Sequence, residues 1–149
     1  MAYTEEVLER FRSPKNMGEI ENADGIGKVG NPVCGDLMWA YIKVGMNGKG
    51  QEIIEDMRVK TFGCVAAIST SDILCDMARG RTLDDALRIS KKDIVSSLKG
   101  LPPQKIHCSV LAADALRKAV EDYKSRKNGS KLVSSGDLQK KKEISKEKS

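Results

Sequence analysis

Aromatic rings are scarce in this sequence: one Trp, two Phe and three Tyr in 149 residues, with a single His. So few rings offer no stacking platform for nucleic acid. No apolar run approaches the roughly 18 residues of a membrane-spanning helix, so no membrane role is expected. The start, Met1-Ala2-Tyr3-Thr4-Glu5-Glu6, is acidic and has no apolar stretch, so it does not read as a secretory signal, and a reducing cytoplasm is the expected compartment. No Cys-x-x-Cys pair occurs among the four cysteines, which excludes zinc ribbons and ferredoxin-type cluster runs. The net charge of +5 is also missing from most of the chain. Ser125 to Ser149 holds eight Lys/Arg and three Asp/Glu, whereas Met1 to Lys124 holds 18 of each. A neutral body gives no basic groove for nucleic acid. The Lys- and Ser-rich end is expected to be a solvated, disordered tail. The expected organisation is one domain over residues 1–124 and a tail over 125–149.

The pattern within the domain changes from strand to helix. Thr4 can cap a helix in which Val7, Leu8 and Phe11 fall at helical spacing, and Pro14 ends it. Short strands are expected near Ile26–Val29, over Leu37–Val44 and over Ile53–Phe62, with Asn47-Gly48 as the hairpin signal between the last two. After Gly63, Ala67, Ser71, Leu74 and Ala78 share one helix face, and Gly80 stops that helix. Thr82 and Ser90 each precede an acidic residue three places on and open two short helices. Pro102-Pro103 forces an extended link, and Leu111–Tyr123 is a last amphipathic helix. Strands first and helices after imply an α+β fold, a small antiparallel sheet of about three strands with helices packed on one face.

Three of the four cysteines stand at edges of elements. Cys34 lies in Gly30-Asn31-Pro32-Val33-Cys34-Gly35-Asp36, a tight loop with a carboxylate two residues on. Cys64 follows Gly63 where a strand hands over to a helix, and a helix N-terminus favours the thiolate that binds metal or accepts sulfur. Cys108 follows His107 at the expected start of a helix. Cys75 differs: it lies mid-helix, and at about 1.5 Å rise per residue it sits roughly 16 Å from Cys64, too far to share an ion. A small buried hydrophobe is its expected role. Spacing alone leaves a joint site for Cys34, Cys64 and Cys108 open. Three thiolates with Asp36 or His107 as a fourth donor suit zinc or iron–sulfur species. A carboxylate is a hard donor in a thiolate set, so Asp36 would make a cluster labile. A cysteine hydrolase with Cys108 as nucleophile and His107 as base is disfavoured, because neighbours along a helix point in different directions.

Gly30-Asn31-Pro32-Val33-Cys34-Gly35-Asp36, Lys60-Thr61-Phe62-Gly63-Cys64 and Leu101-Pro102-Pro103-Gln104-Lys105-Ile106-His107-Cys108-Ser109 together resemble the iron–sulfur cluster scaffold proteins of the IscU type, a family that includes the N-terminal domain of NifU. The resemblance spans about Met1 to Tyr123. It implies a scaffold, not an enzyme, on which a transient 2Fe–2S cluster is built from iron and from sulfur supplied by a cysteine desulfurase, then passed to apo-proteins. It implies Cys34, Cys64 and Cys108 as ligands, Cys108 as persulfide acceptor, Asp36 as the labilising residue and His107 as alternative ligand, with zinc an option for the apo form. Leu101, Pro102, Pro103 and Lys105 resemble the segment that engages an Hsp70-type chaperone, although Gln104 stands where an apolar residue is common. Val65 stands where a small residue is usual. A frataxin-like partner and a homodimer or higher oligomer are further implications. The alternative is a zinc-dependent sulfur acceptor resembling SufU, which usually carries an insertion before the last cysteine and lacks a histidine there.

Overall fold

A computed structural model describes residues 3–31 and 35–132. Cys34, Pro32 and Val33, and residues 133–149 of the expected tail, lie outside the described residues.

Helix α1 (Glu5–Arg12) starts at Thr4, whose hydroxyl oxygen accepts from the Val7 N–H, and it has acidic residues in its first turn and basic residues in its last, the arrangement that complements the helix dipole. Three antiparallel strands follow, β1 (Gly25–Asn31), β2 (Asp36–Met46) and β3 (Glu52–Phe62), in the order β1-β2-β3. The β2–β3 turn differs from a two-residue Asn-Gly hairpin. Asn47 Oδ1 accepts from the N–H groups of Lys49 and Gln51, and the positive φ falls at Gly50 (+76°). The Asn47 side chain therefore organises a longer loop by itself.

Alternation along the sheet sends Met38, Ala40, Ile42, Met57 and Val59 inward, all fully or almost fully buried. Helices α2 (Val65–Ala78) and α5 (His107–Leu132) cover that face. Glycine lets α5 lie flush on β1. A Cβ on Gly25 would sit 2.2 Å from the Ala119 carbonyl oxygen, and one on Gly27 would sit 2.3 Å from that of Ala115. The opposite face bears Trp39 against Phe62, with ring centroids 5.8 Å apart at 84°, and the Lys28 ammonium 5.3 Å from the Trp39 ring. The free edge of β3 is closed by the chain itself: Gly18 N–H donates to Val59 O and Ile54 N–H to Arg81 O, both at 2.8 Å, so β3 offers no open ladder there.

Helix α2 is buried on more than the one face read from its apolar spacing, since Ser69, Thr70, Ser71 and Asp72 are fully buried as well. Each has a partner. Ser69 Oγ donates to Val7 O at 2.7 Å, and Thr70 and Ser71 donate to the carbonyls one turn back. Asp72 accepts from the Lys15 and Asn16 N–H groups and from Arg10 Nη1 at 2.9 Å. Arg10 also meets Asp76, and Asp76 meets Asn16 and Arg79. This polar knot ties α1 and the Pro14 turn to α2.

Two short helices, α3 (Leu83–Leu87) and α4 (Lys91–Ser97), start at Thr82 and Ser90 as expected. Ser90 and Asp93 form a reciprocal capping box, whereas Thr82 only accepts from the Asp85 N–H. The last helix runs from His107 to Leu132: it starts at the His107-Cys108 pair and continues past the Tyr123 end of the amphipathic stretch. It thus passes the expected domain boundary at Lys124. Beyond that boundary Arg126 donates to Ala23 O and pairs with Asp122, and Lys127 pairs with Glu52. These contacts with the sheet end and its loop keep the chain helical where composition alone reads as tail.

Candidate metal centre

One end of the sheet brings three elements together. Asp36 opens β2, directly after Gly35, whose φ of +75° makes the sharp entry. Cys64 is the N-cap of α2, and its side chain makes no capping hydrogen bond, so the thiol is left for other work. His107 and Cys108 open α5 after a single 3-10 turn over Pro103–Lys105. Two helix N-termini thus converge on one spot, and each favours negative charge there.

The donor atoms meet closely. Cys64 Sγ and Cys108 Sγ are 3.7 Å apart. Asp36 Oδ2 lies 3.9 Å from Cys64 Sγ and 3.8 Å from Cys108 Sγ. His107 Nε2 is 3.6 Å from Cys108 Sγ. Donors at about 2.0–2.3 Å from a tetrahedral ion stand roughly 3.3–3.8 Å from one another. The spacing is that of a ligand cage, and Asp36, His107 and Cys108 have donor atoms all within 4.8 Å of each other. Soft thiols with an imidazole and one carboxylate fit zinc or iron–sulfur species.

His107 lies nearer Cys108 than the different directions of neighbouring helical side chains suggest. Both stand in the first turn of α5, where the ring folds back to the sulfur. The structure brings Cys64, Cys108 and Asp36 together and sets His107 beside Cys108 and Asp36, while Cys75 is fully buried in the core. Burial pushes the Cys75 thiol pKa up, and the Asp72 charge adds to that, so it is an inert thiol. Among the described residues, Cys64, Cys75 and Cys108 are free of disulfides.

Burial also raises the Cys108 pKa, with Cys64 and Asp36 adding to it and Lys105 opposing. The nearby Lys105 cation is outweighed by burial and by the neighbouring thiol and carboxylate. A metal would take the place of the thiol proton. The Lys105 pKa is raised, by Cys64 foremost against some desolvation, and further by Tyr3, Cys108 and Asp36. Tyr3 is the neighbour that motif reading did not assign to the site. Its pKa is raised by burial, then by Cys64 and Cys108, with Lys105 opposing. Only the folded chain shows that the N-terminus returns to the thiols. Leu101 is half-buried, Pro102 buried and Pro103 exposed, so the Leu101–Lys105 segment presents part of itself to solvent.

Residues 2–130 match the NifU-like N terminal domain family. The iron–sulfur cluster assembly scaffold protein IscU 1 of Archaeoglobus fulgidus is 54% identical over 127 residues, 85% of this chain and 79% of that protein. The iron–sulfur cluster assembly scaffold protein IscU of Escherichia coli K12 is 46% identical over 130 residues, 85% of this chain and 98% of that protein. Among solved structures, the N-terminal NifU-like protein of Brucella abortus superposes with a TM-score of 0.61 at 16% identity, covering 81% of this chain and 93% of that one. This structural likeness speaks to the fold.

Proposed function

Because the chain belongs to the NifU-like N-terminal domain family, we propose that it is a scaffold on which an iron–sulfur cluster is assembled and from which it is handed on. One observation carries the reading: two free thiols 3.7 Å apart share a single buried carboxylate oxygen. The relatives that are 46–54% identical are named as cluster assembly scaffolds, which supports the same role here.

In this reading Cys64 and Cys108 are two of the ligands and Cys34, from the Gly30–Asp36 motif, is the third. Cys108 is the sulfur acceptor. Its proton must leave before it attacks a persulfide, and His107 Nε2 at 3.6 Å is the near base, with Lys105 the near cation. Asp36 holds the fourth position beside both thiols and weakens the hold on the cargo, with His107 as its alternate. The cargo is a 2Fe–2S cluster, and zinc is the occupant of the same donors when no cluster is present. The sulfur donor is a cysteine desulfurase and the recipients are apo-proteins. Leu101, Pro102, Pro103 and Lys105 form the segment offered to an Hsp70-type chaperone, a frataxin-like protein is a further partner, and two chains sharing one cluster would make a dimer. No helix among the described residues is long and apolar enough to cross a membrane, and the free thiols suit the reducing cytoplasm.

Anaerobic incubation of the reduced chain with ferrous iron, cysteine and a cysteine desulfurase tests the proposal. The expected result is a 2Fe–2S visible spectrum that is lost with Cys34→Ser, Cys64→Ser or Cys108→Ser and kept with Cys75→Ser. Loss with Cys75→Ser, or a colourless native protein holding only zinc, rejects it.

A further inference from the structure

Gly63 precedes the Cys64 ligand, yet its φ is not in the left-handed region, unlike Gly35 at +75°. Backbone freedom is therefore not what the position requires. Space is what it requires. A Cβ on Gly63 would lie 2.8 Å from Ala67 Cβ and 3.0 Å from both Cγ and Oδ1 of Asp36. Around Gly35, by contrast, a Cβ would meet nothing within 4 Å among the described residues.

The two oxygens of Asp36 are thus divided. Oδ2 faces the thiols of Cys64 and Cys108 at 3.9 and 3.8 Å, and Oδ1 borders the space that a Gly63 side chain would enter, 3.0 Å from where its Cβ would lie. Asp36 is almost wholly buried, with 5% of its surface exposed. A buried carboxyl placed between a backbone and two sulfurs has one place to go if the backbone side is filled. Ala67 cannot withdraw, since it is fully buried in the first turn of α2. The carboxyl is the movable group.

We infer that Gly63 is a positioning residue for Asp36: by having no side chain it seats Oδ1 and so turns Oδ2 onto the two thiols. The inference rests on the reading of Asp36 as part of the metal centre. It adds that the geometry of that carboxylate is set from the strand–helix junction, by an atom that is not there.

The test uses the full chain, reduced and metal-free, as native protein, Gly63→Ala, Asp36→Ala and the double variant. Thermal melting followed by circular dichroism comes first. Gly63→Ala is expected to lower the melting midpoint in the native background and to have little effect on top of Asp36→Ala, where the carboxyl has vacated the space. Equal lowering in both backgrounds would show that the new methyl acts only through Ala67 and would overturn the inference. If Gly63→Ala does not fold, the double variant must; failure of both overturns it as well. Titration with cobalt(II), read by its visible ligand-field spectrum, then reports on the site. Gly63→Ala is expected to bind about tenfold more weakly, as when a supporting group is lost, with a spectrum like that of Asp36→Ala. A spectrum and affinity equal to native overturn the inference. If Asp36→Ala itself leaves the cobalt spectrum unchanged, the ligand reading of Asp36 fails, and the melting comparison still decides the role of Gly63.

Discussion

Cys64 and Cys108 are 44 residues apart along the chain but share one neighbour in space, the Asp36 carboxylate. Replacing either thiol by a hydroxyl removes a soft donor from the cage, and zinc affinity is expected to fall by at least about tenfold for Cys64→Ser or Cys108→Ser. Competition with a chromophoric chelator measures it. Asp36→Ala should keep the cluster longer and slow its transfer to an apo-ferredoxin, followed by visible circular dichroism; an unchanged transfer rate removes the labilising role. At a distance from the centre, Asp72→Asn takes the charge from a pair in which Asp72 is buried but Arg10 is partly exposed and keeps Asp76. The loss should therefore fall below the roughly 3–5 kcal/mol of a fully buried pair, measurable by urea unfolding. Asp76 adds a pH dependence. Burial pushes its pKa up, but hydrogen bonds from Arg10 and Asn16 outweigh this and leave it below the ordinary value. A lowered carboxyl pKa stabilises the fold above the unfolded-state value of about 3.9, and that contribution disappears as the pH falls through the lower folded value. Urea midpoints should therefore drop below about pH 4, and Arg10→Ala should flatten the drop. Motif reading reached the cysteines because their glycine and cap neighbours are local. It did not reach Asp72 or Tyr3, whose roles depend on partners far along the chain, such as Arg10 for one and Cys64 for the other.

Helix starts were legible wherever a capping side chain stands in sequence, as at Thr4, Thr82 and Ser90. Ser90→Ala should cost about 1 kcal/mol, the usual worth of an N-cap. The start of α5 was legible only as far as the His107-Cys108 pair, and its continuation past Tyr123 was not. Its amphipathic signal fades there, but Arg126 and Lys127 find partners on the loop before β1 and on Glu52. Truncation after Lys124 removes those partners and should lower the melting midpoint by a few degrees, since exposed pairs contribute up to about 1 kcal/mol each. Truncation after Leu132 should leave it unchanged. The β1–α5 contact is less tolerant. The methyl of Gly27→Ala would meet backbone atoms of α5, 2.3 Å from a carbonyl oxygen, and overpacking of this kind costs about 1–3 kcal/mol or more. From sequence, the stretch around Gly25 and Gly27 reads as a short strand near Ile26–Val29 with no reason for its glycines, because their use lies in a helix far along the chain, as the Ile26 N–H bond to Asp122 also shows.

For the whole molecule, the α+β class and the sheet order follow from strands preceding helices and from the hairpin between β2 and β3. The way α2 is enclosed does not follow, because Ser69, Thr70 and Asp72 look solvent-facing until α1 and the Pro14 turn close over the helix. The candidate metal centre depends on the packing of these elements. Asp36, Cys64 and Cys108 are delivered by β2, α2 and α5, and no two of them share an element. A cage of that kind exists only while the whole fold does. Cargo binding and folding are then one equilibrium: each tenfold gain in cargo affinity deepens the folded state by about 1.4 kcal/mol at saturating cargo. The same coupling runs in reverse. A partner that pries α2 or α5 from the sheet need never touch the cluster to eject it, and loosening the fold is by itself a way to unload it.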